Sequence, residues 1–483
     1  MAAKRARRGS RLIVVSNRLP FVFARAKGGR WSAQPGSGGL VTALLPVLRD
    51  RGGLWIGWPG ASAPARSLPA ADAGYRLAGV PLTAAEVRGF YQGFSNEVIW
   101  PLFHDLPSLC NFDPAYWRTY GEVNRKYARA VQRRARPGDF VWVHDYHLMS
   151  LAAELRPLGT RLRLAFFLHI PFPAPDVFMK LPWRAPLLDA LLEYDLVGFQ
   201  TARDRKNFLA CAQALGRDAR PERTGHFPIS IDYNAFVRRA AAGDVAAKAR
   251  ELHLLLPRRK LVLGIDRLDY TKGIALRLRA FQDLLVRKPE MRGRVSLIQV
   301  VVPSREDIPQ YREMKTEIEQ LVSRINGEFA RPGAWVPVWY EYRSLSRLEL
   351  LAYYRAADIA LITPLKDGMN LVAKEYCACS IEEDCVLILS EFAGAAAQLG
   401  GGALLVNPYD IRGVAEAIRV AHAMPAEERE ARMRRMRRSI RRQDVFWWVD
   451  SFLRAAISRG LRHFPPRPER RRAGVGPENQ IPV

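Results

Sequence analysis

The chain has 483 residues, 48% hydrophobic and 25% charged, with 35 Gly and 33 Pro, a composition neither collagen-like nor wholly disordered and long enough for two to three domains. Lys and Arg number 74 against 48 Asp and Glu, a formal net charge of +26, which raises nucleic acid, an anionic membrane or an acidic substrate as partners. Much of the excess lies in residues 1–11, 431–442 and 462–483; it reads as solvated Arg-biased surface, because no finger, zipper or RNA-recognition signature accompanies it.

After a basic segment over residues 1–10, the run Leu12–Val15 reads as a strand. It is too short for a secretory h-region, because Ser16, Asn17 and Arg18 follow at once. Gly36-Ser37-Gly38-Gly39-Leu40 then precedes a helical pattern. It either brings backbone N–H groups toward an anion or makes a plain strand-to-helix turn; it is neither a dinucleotide fingerprint nor a phosphate loop. Further strands are expected at Leu54–Trp58, Phe140–His144, Leu162–Leu168 and Leu196–Gln200, alternating with helices in α/β fashion. His144-Asp145-Tyr146-His147 and His169 fall at two of these strand ends. Their spacing is not that of a metal site, so they read as ligand contacts or buried structural histidines.

A helical stretch over residues 234–259 separates this series from a second one: Lys260–Ile265, Val295–Val302, Ile359–Thr363, Val386–Ser390 and Ala403–Val406. Continuous apolar runs of this kind suit parallel strands buried on both faces. Arg267 and Lys272 follow the first of them, either holding a diphosphate or pairing with Asp266 or Asp269. Thr363 to Glu375 runs from strand to loop to helix, offering a helix N-terminus for phosphate, Asp367 beside it and Glu375 where a carboxylate can grip a ribose diol. Residues from about Pro425 to Leu461 read as helix and the remainder as disordered. The domain reading is therefore 11–235, 236–445, a helix over 446–461 packing back on the body, and a tail over 462–483. Five Cys without paired spacing indicate free thiols and a cytoplasmic setting. No membrane span is expected, since Val386–Val406 carries Glu391, Gln398 and three consecutive Gly.

In order, Ser16-Asn17-Arg18, Gly38-Gly39-Leu40, Leu54 to Trp58, Phe94-Ser95-Asn96, Trp100-Pro101, His144 to His147, His169 to Pro173, Arg267 to Tyr270, Asp367 to Leu371 and Asn407 to Asp410 closely resemble the trehalose-6-phosphate synthases, retaining glycosyltransferases of family 20. The resemblance covers roughly residues 11–460. It implies α/β GT-B architecture, two Rossmann-like doubly wound domains facing a cleft. It also implies glucose transfer from UDP-, GDP- or ADP-glucose, as co-substrate, to glucose 6-phosphate, without metal or cofactor and without nucleic acid or membrane as partner. Self-association through a surface helix fits the pattern. By matching motif, Arg18, Trp55, Tyr91, Trp100, Asp145 and Arg305 resemble the acceptor pocket. Gly38, Gly39, His169, Arg267, Lys272, Asp367, Gly368, Met369, Asn370, Leu371 and Glu375 resemble the donor site. Asp145, His169, Arg267, Lys272 and Asp367 are the catalytic candidates. Asp266 stands where a Glu is common in the family. Transfer to another phosphorylated polyol, such as glycerol 3-phosphate, and a noncatalytic sugar-phosphate or nucleic-acid-binding relative are the competing readings.

Overall fold

The computed structural model describes residues 11–25, 31–35, 41, 44, 45, 48, 52–60, 74–256, 259–304, 309–331 and 333–457. Gly38, Gly39 and Arg305 and the basic chain ends lie outside the described residues. Among the described residues fifteen strands occur in chain order: β1 Leu12–Arg18, β2 Phe21–Arg25, β3 Trp31–Pro35, β4 Gly53–Trp58, β5 Tyr75–Gly79, β6 Phe140–His144, β7 Arg163–Phe167, β8 Leu196–Phe199, β9 Thr224–His226, β10 Lys260–Arg267, β11 Val295–Val302, β12 Val338–Tyr342, β13 Ile359–Ile362, β14 Val386–Ser390 and β15 Leu404–Val406.

The first sheet has the order β5-β4-β1-β6-β7-β8-β9 and the second β12-β11-β10-β13-β14-β15. All of their pairings are parallel. Each sheet therefore grows one way from its first strand, then jumps back to that strand's other side and grows the other way. Strand order reverses at β1/β6 in one lobe and at β10/β13 in the other, and α/β sheets bind ligands beyond such points. The central strands are buried throughout, as their unbroken apolar runs require. An antiparallel hairpin of β2 and β3 stands outside both sheets.

Helix starts follow local chemistry: Asp113 caps Pro114–Gln132, and Thr201 with Asp204 and Ser346 with Glu349 form capping boxes. Val87–Ile99 is wound as a π-helix, a rare form that clusters at functional sites. Residues 234–259 form two helices within Tyr233–Ala240 and Gly243–Leu255. The expected single C-terminal helix is instead two, Ala426–Arg442 and Val445–Ile457. The break has a local cause, since Asp444 accepts the Trp447 N–H at 2.9 Å and so starts a new helix.

The Arg-rich helix Ala426–Arg442 is more than solvated surface. Arg437 is buried, its Nη1 within 3.0 Å of the Cys377, Ala378 and Ser380 carbonyl oxygens, so it caps the C-terminal end of the helix Leu371–Cys379. Arg432 and Arg434 pair with Glu428 and Glu430 one turn back.

The chain crosses between lobes after β9 and returns before Val445, where the Val445 N–H donates to the Ile231 carbonyl at 3.0 Å. The last helix, Val445–Ile457, thereby packs on the first lobe. Phe452 stacks on Trp142 with ring centres 4.4 Å apart, and Trp448 meets Trp142 at 5.1 Å and Phe167 edge-on at 5.1 Å. Gly198 makes room: a Cβ there would lie 2.6 Å from the Phe452 ring. Trp448 is completely buried, so Trp448→Ala is expected to cost about 3–5 kcal/mol. That predicts a melting temperature several degrees lower in a thermal scan; an unchanged melting point would show that the helix contributes little.

Candidate active site

The site is built around the carboxyl ends of the four strands that flank the two reversal points, with β4, β7 and the π-helix adding Trp58, His169 and Tyr91. At the end of β1, the Ser16 hydroxyl donates to the Arg18 carbonyl at 2.7 Å and accepts the Trp55 indole N–H at 2.7 Å, while the Tyr127 hydroxyl donates to the Asn17 carbonyl at 2.6 Å. This bracing turns the exposed Arg18 out of the sheet. Its guanidinium carbon lies 4.8 Å from the Trp58 ring centre and 5.3 Å from that of Tyr91, in cation–π contact with both. Tyr91 comes from the π-helix and stacks on His147 at 5.8 Å and 11°.

Trp55 does not line the cleft. It is fully buried behind the Arg18 turn, and Trp58, on the opposite face of β4, supplies the aromatic surface instead. Trp100 ends the π-helix, its ring 4.3 Å from His104 and 5.8 Å from Tyr146.

At the end of β6, Asp145 adopts φ 75° and ψ 165°, a conformation that costs a non-glycine residue about 1–3 kcal/mol and concentrates at functional sites. It is fixed from both sides, since its N–H donates to the Phe167 carbonyl at 2.8 Å and its Oδ1 accepts the His169 N–H at 3.3 Å. Burial pushes the carboxyl up to about 7, against the Tyr146 and His169 N–H groups that favour its charged form. His169 Nε2 lies 3.1 Å from His144 Nδ1, and His169 Nδ1 lies 3.5 Å from Gln200 Nε2. Burial draws His169 down to about 3 and His144 well below the usual range, so both rings are neutral.

In the second lobe Asp266 is committed to Arg277 at 2.6 Å, both side chains buried, with Thr363 and Gln299 completing the network. Asp269 caps the turn that carries Lys272, accepting from the Thr271 N–H and hydroxyl at 3.0 and 2.9 Å. Arg267, its side chain 52% exposed, makes only a long ion pair with Asp269, at 4.0 Å. Lys272 pairs with Asp367 at 2.6 Å. Burial alone would draw the Lys272 ammonium down and push the Asp367 carboxyl up. The pairing outweighs it, and Lys272 sits above and Asp367 below the usual range. Asn370 Nδ2 donates to Asp367 at 3.2 Å while its Oδ1 accepts the Ala373 N–H at 3.1 Å, so one side chain both caps the helix Leu371–Cys379 and orients the carboxylate. Met369 is buried, and its carbonyl accepts the Ala395 N–H at 2.7 Å. Glu375 accepts the Tyr354 hydroxyl at 2.9 Å, and burial raises its carboxyl above the usual range.

Gly368 joins the halves. A Cβ at this position would strike the His169 carbonyl oxygen and lie 3.0 Å from the Ile170 Cα. Gly368→Ala is therefore expected to raise the donor KM about tenfold by forcing the lobes apart, since small displacements at a reacting centre cost up to about 10²-fold. Donor saturation kinetics check this, and an unchanged KM would mean the lobes do not approach here during turnover. A lysine–aspartate pair, Lys366 with Asp105, also spans the cleft.

His104 and Arg277 escaped the sequence reading. His104 is buried with Nδ1 2.6 Å from the Trp100 carbonyl, drawn down to about 4 by burial, and it feels the charges of Asp269, Asp367 and Lys272. Nothing in its local pattern signals that it reaches the other lobe. Arg277 interrupts the apolar stripe Ile274, Leu278, Phe281, Leu285, and that interruption was the available signal. Among the described residues no group of three or more His, Cys, Asp or Glu side chains is arranged to hold a metal ion. None of the described helices is long and apolar enough to cross a membrane.

Two doubly wound lobes thus meet where Gly368 packs on His169, with the Lys272–Asp367 pair and a helix N-terminus on one side and Asp145 on the other, at strand ends where α/β sheets bind ligands. The chain belongs to glycosyltransferase family 20, whose family model matches residues 10–457. It is 42% identical over 476 residues to the trehalose-6-phosphate synthase of Mycobacterium avium, covering 94% of this chain and 96% of that one. Among solved structures, it is similar to the UDP-forming α,α-trehalose-phosphate synthase of Burkholderia xenovorans in complex with glucose-6-phosphate. There the TM-score is 0.84 and the identity 37%, over 92% of this chain and 100% of that one. It is also similar to the E. coli protein bound with UDP-2-fluoro glucose, with a TM-score of 0.84 and 36% identity over 92% of this chain and 99% of that one.

Proposed function

We propose that this chain is an α,α-trehalose-phosphate synthase, moving glucose with retention from a nucleotide-diphosphate glucose to glucose 6-phosphate. The observation that carries the reading is the Lys272–Asp367–Asn370 group at the start of the helix Leu371–Cys379, with Gly368 packed on His169 of the other lobe. In this reading the diphosphate meets the helix N-terminus, Lys272 and Arg267, Glu375 takes the ribose, and Asp367 and His169 flank the glucose. Arg18 holds the acceptor phosphate, with Tyr91, Trp58 and Trp100 as the walls.

As the bond from the anomeric carbon to the diphosphate oxygen breaks, negative charge grows on the leaving group beside two cations and the helix N-terminus. These interactions strengthen toward the transition state. The acceptor hydroxyl forms the new bond on the face the diphosphate leaves, and its proton passes to the departing phosphate oxygen. The ionised Asp145 receives a hydrogen bond from the acceptor sugar and orients it. The positive charge needed is supplied by side chains, and the nucleotide sugar enters as a co-substrate.

The test is nucleotide release from UDP-, GDP- and ADP-glucose, each with and without glucose 6-phosphate or glycerol 3-phosphate, with the product identified by mass. Release that depends on glucose 6-phosphate and yields a nonreducing disaccharide phosphate establishes the reading and names the donor. Product formed only with glycerol 3-phosphate, or none with any donor, overturns it. The UDP-forming relative and the UDP-sugar complex make UDP-glucose the first donor to try.

A further inference from the structure

Lys374 is completely buried one residue before Glu375, on the helix Leu371–Cys379. Among the described residues no carboxylate pairs with it, and its Nζ donates to the Ile229 carbonyl at 2.7 Å. A buried lysine without a counter-ion is costly and rare; burial here draws the ammonium down to about 7. Ile229, itself buried, lies on the crossover between the lobes, and its N–H donates to Gln200 Oε1 at 2.9 Å. The same Gln200 turns its Nε2 toward His169 Nδ1 and the His169 carbonyl oxygen, each at 3.5 Å. From His169 the line continues to His144 at 3.1 Å. One residue, Ile229, thus connects the helix beside the Lys272–Asp367 pair, through its carbonyl, to the His169 ring, through its N–H and Gln200.

We propose that Lys374 is a positioning residue that holds the helix Leu371–Cys379 to the Ile229 peptide and, through Gln200, keeps His169 in register with that helix across the lobe crossover. The inference rests on the reading of this helix and His169 as the two sides of the donor site. Lys374 reaches neither the nucleotide sugar nor the acceptor; its effect passes through Ile229 and Gln200.

The experiment compares full-length wild type, Lys374→Met, Gln200→Leu and the double variant. Methionine keeps the length and apolar stem of lysine but cannot donate, and leucine releases both the Ile229 N–H and His169. UDP and glucose 6-phosphate binding are measured by calorimetry, kcat with UDP-glucose, and melting in parallel. Each single variant is expected to weaken UDP binding about tenfold and to lower kcat at least tenfold, leaving glucose 6-phosphate affinity within twofold. The double variant is expected to be no worse than the more impaired single, because both changes cut one line of contacts. UDP affinity within twofold of wild type in a folded Lys374→Met or Gln200→Leu overturns the proposal, as do losses that multiply in the double variant. Should Lys374→Met fail to fold, Gln200→Leu decides by the same UDP criterion. UDP binding needs no turnover, so a wild type that binds UDP yet forms no disaccharide phosphate counts against the synthase reading while the linkage is still decided.

Discussion

Arg267→Ala and Lys272→Met are each expected to lower kcat by roughly 10²–10³-fold, the range for removing one preorganised group from a developing charge, with glucose 6-phosphate affinity unchanged. The two side chains reach this effect differently. Arg267 is half-exposed and 4.0 Å from the Asp269 carboxylate, so its removal leaves the fold intact and takes away a cation held ready for the diphosphate. Lys272 is pinned 2.6 Å from Asp367. Losing it also frees the carboxyl of Asp367 to rise from its depressed range, so Lys272→Met should add a proton-dependent defect that Arg267→Ala lacks. Steady-state kinetics across pH, with acceptor binding by calorimetry, separate these outcomes. Full turnover in Arg267→Ala would remove it from the leaving-group site.

Asp145→Asn should slow transfer by at least about 10²-fold while making the protein more stable above neutral pH. The sign follows from the carboxyl, pushed by burial from its ordinary 3.8 to about 7. Between those values the folded chain holds a proton that the unfolded chain releases, so stability falls as pH rises through the window. Above pH 7 the whole cost of keeping the buried carboxylate ionised is present. Asparagine retains an acceptor for the His169 N–H, tolerates positive φ and never ionises. The melting temperatures of wild type and variant should therefore diverge as pH climbs from 4 to 8. Wild-type kcat/KM for the acceptor should rise through about pH 7 if the ionised form serves the sugar. A variant equally active, or less stable at pH 8, would contradict the assignment.

Where two faces of a strand are buried, the sequence was readable. β1, β6, β10, β11, β13 and β14 appear as unbroken apolar runs, and residues at or just after the ends of five of them, all but β14, were singled out as ligand contacts. Five strands escaped: β2 and β3, which pair only with each other, and β5, β9 and β12, which lie at sheet edges with half-exposed mixed residues that carry no such run. Trp55 and Trp58 are chemically alike within one short motif, and only the hydrogen bond from Trp55 to Ser16 settles which of them faces inward. Contacts across the cleft are the least legible class. Gly368 on His169, Lys374 on Ile229 and Lys366 with Asp105 pair residues far apart in the chain, and no local periodicity records them.

Phe452 and Trp448, on the last described helix, fill the face of the first lobe that begins at β1. During synthesis this lobe emerges early, but Trp142 and Phe167 stay uncovered until Val445–Ile457 leaves the ribosome. At roughly 5–20 residues per second that wait lasts some tens of seconds. The nascent first lobe is then an aromatic-faced client for holding chaperones, and a premature stop upstream of Val445 would release a chain with that face permanently open.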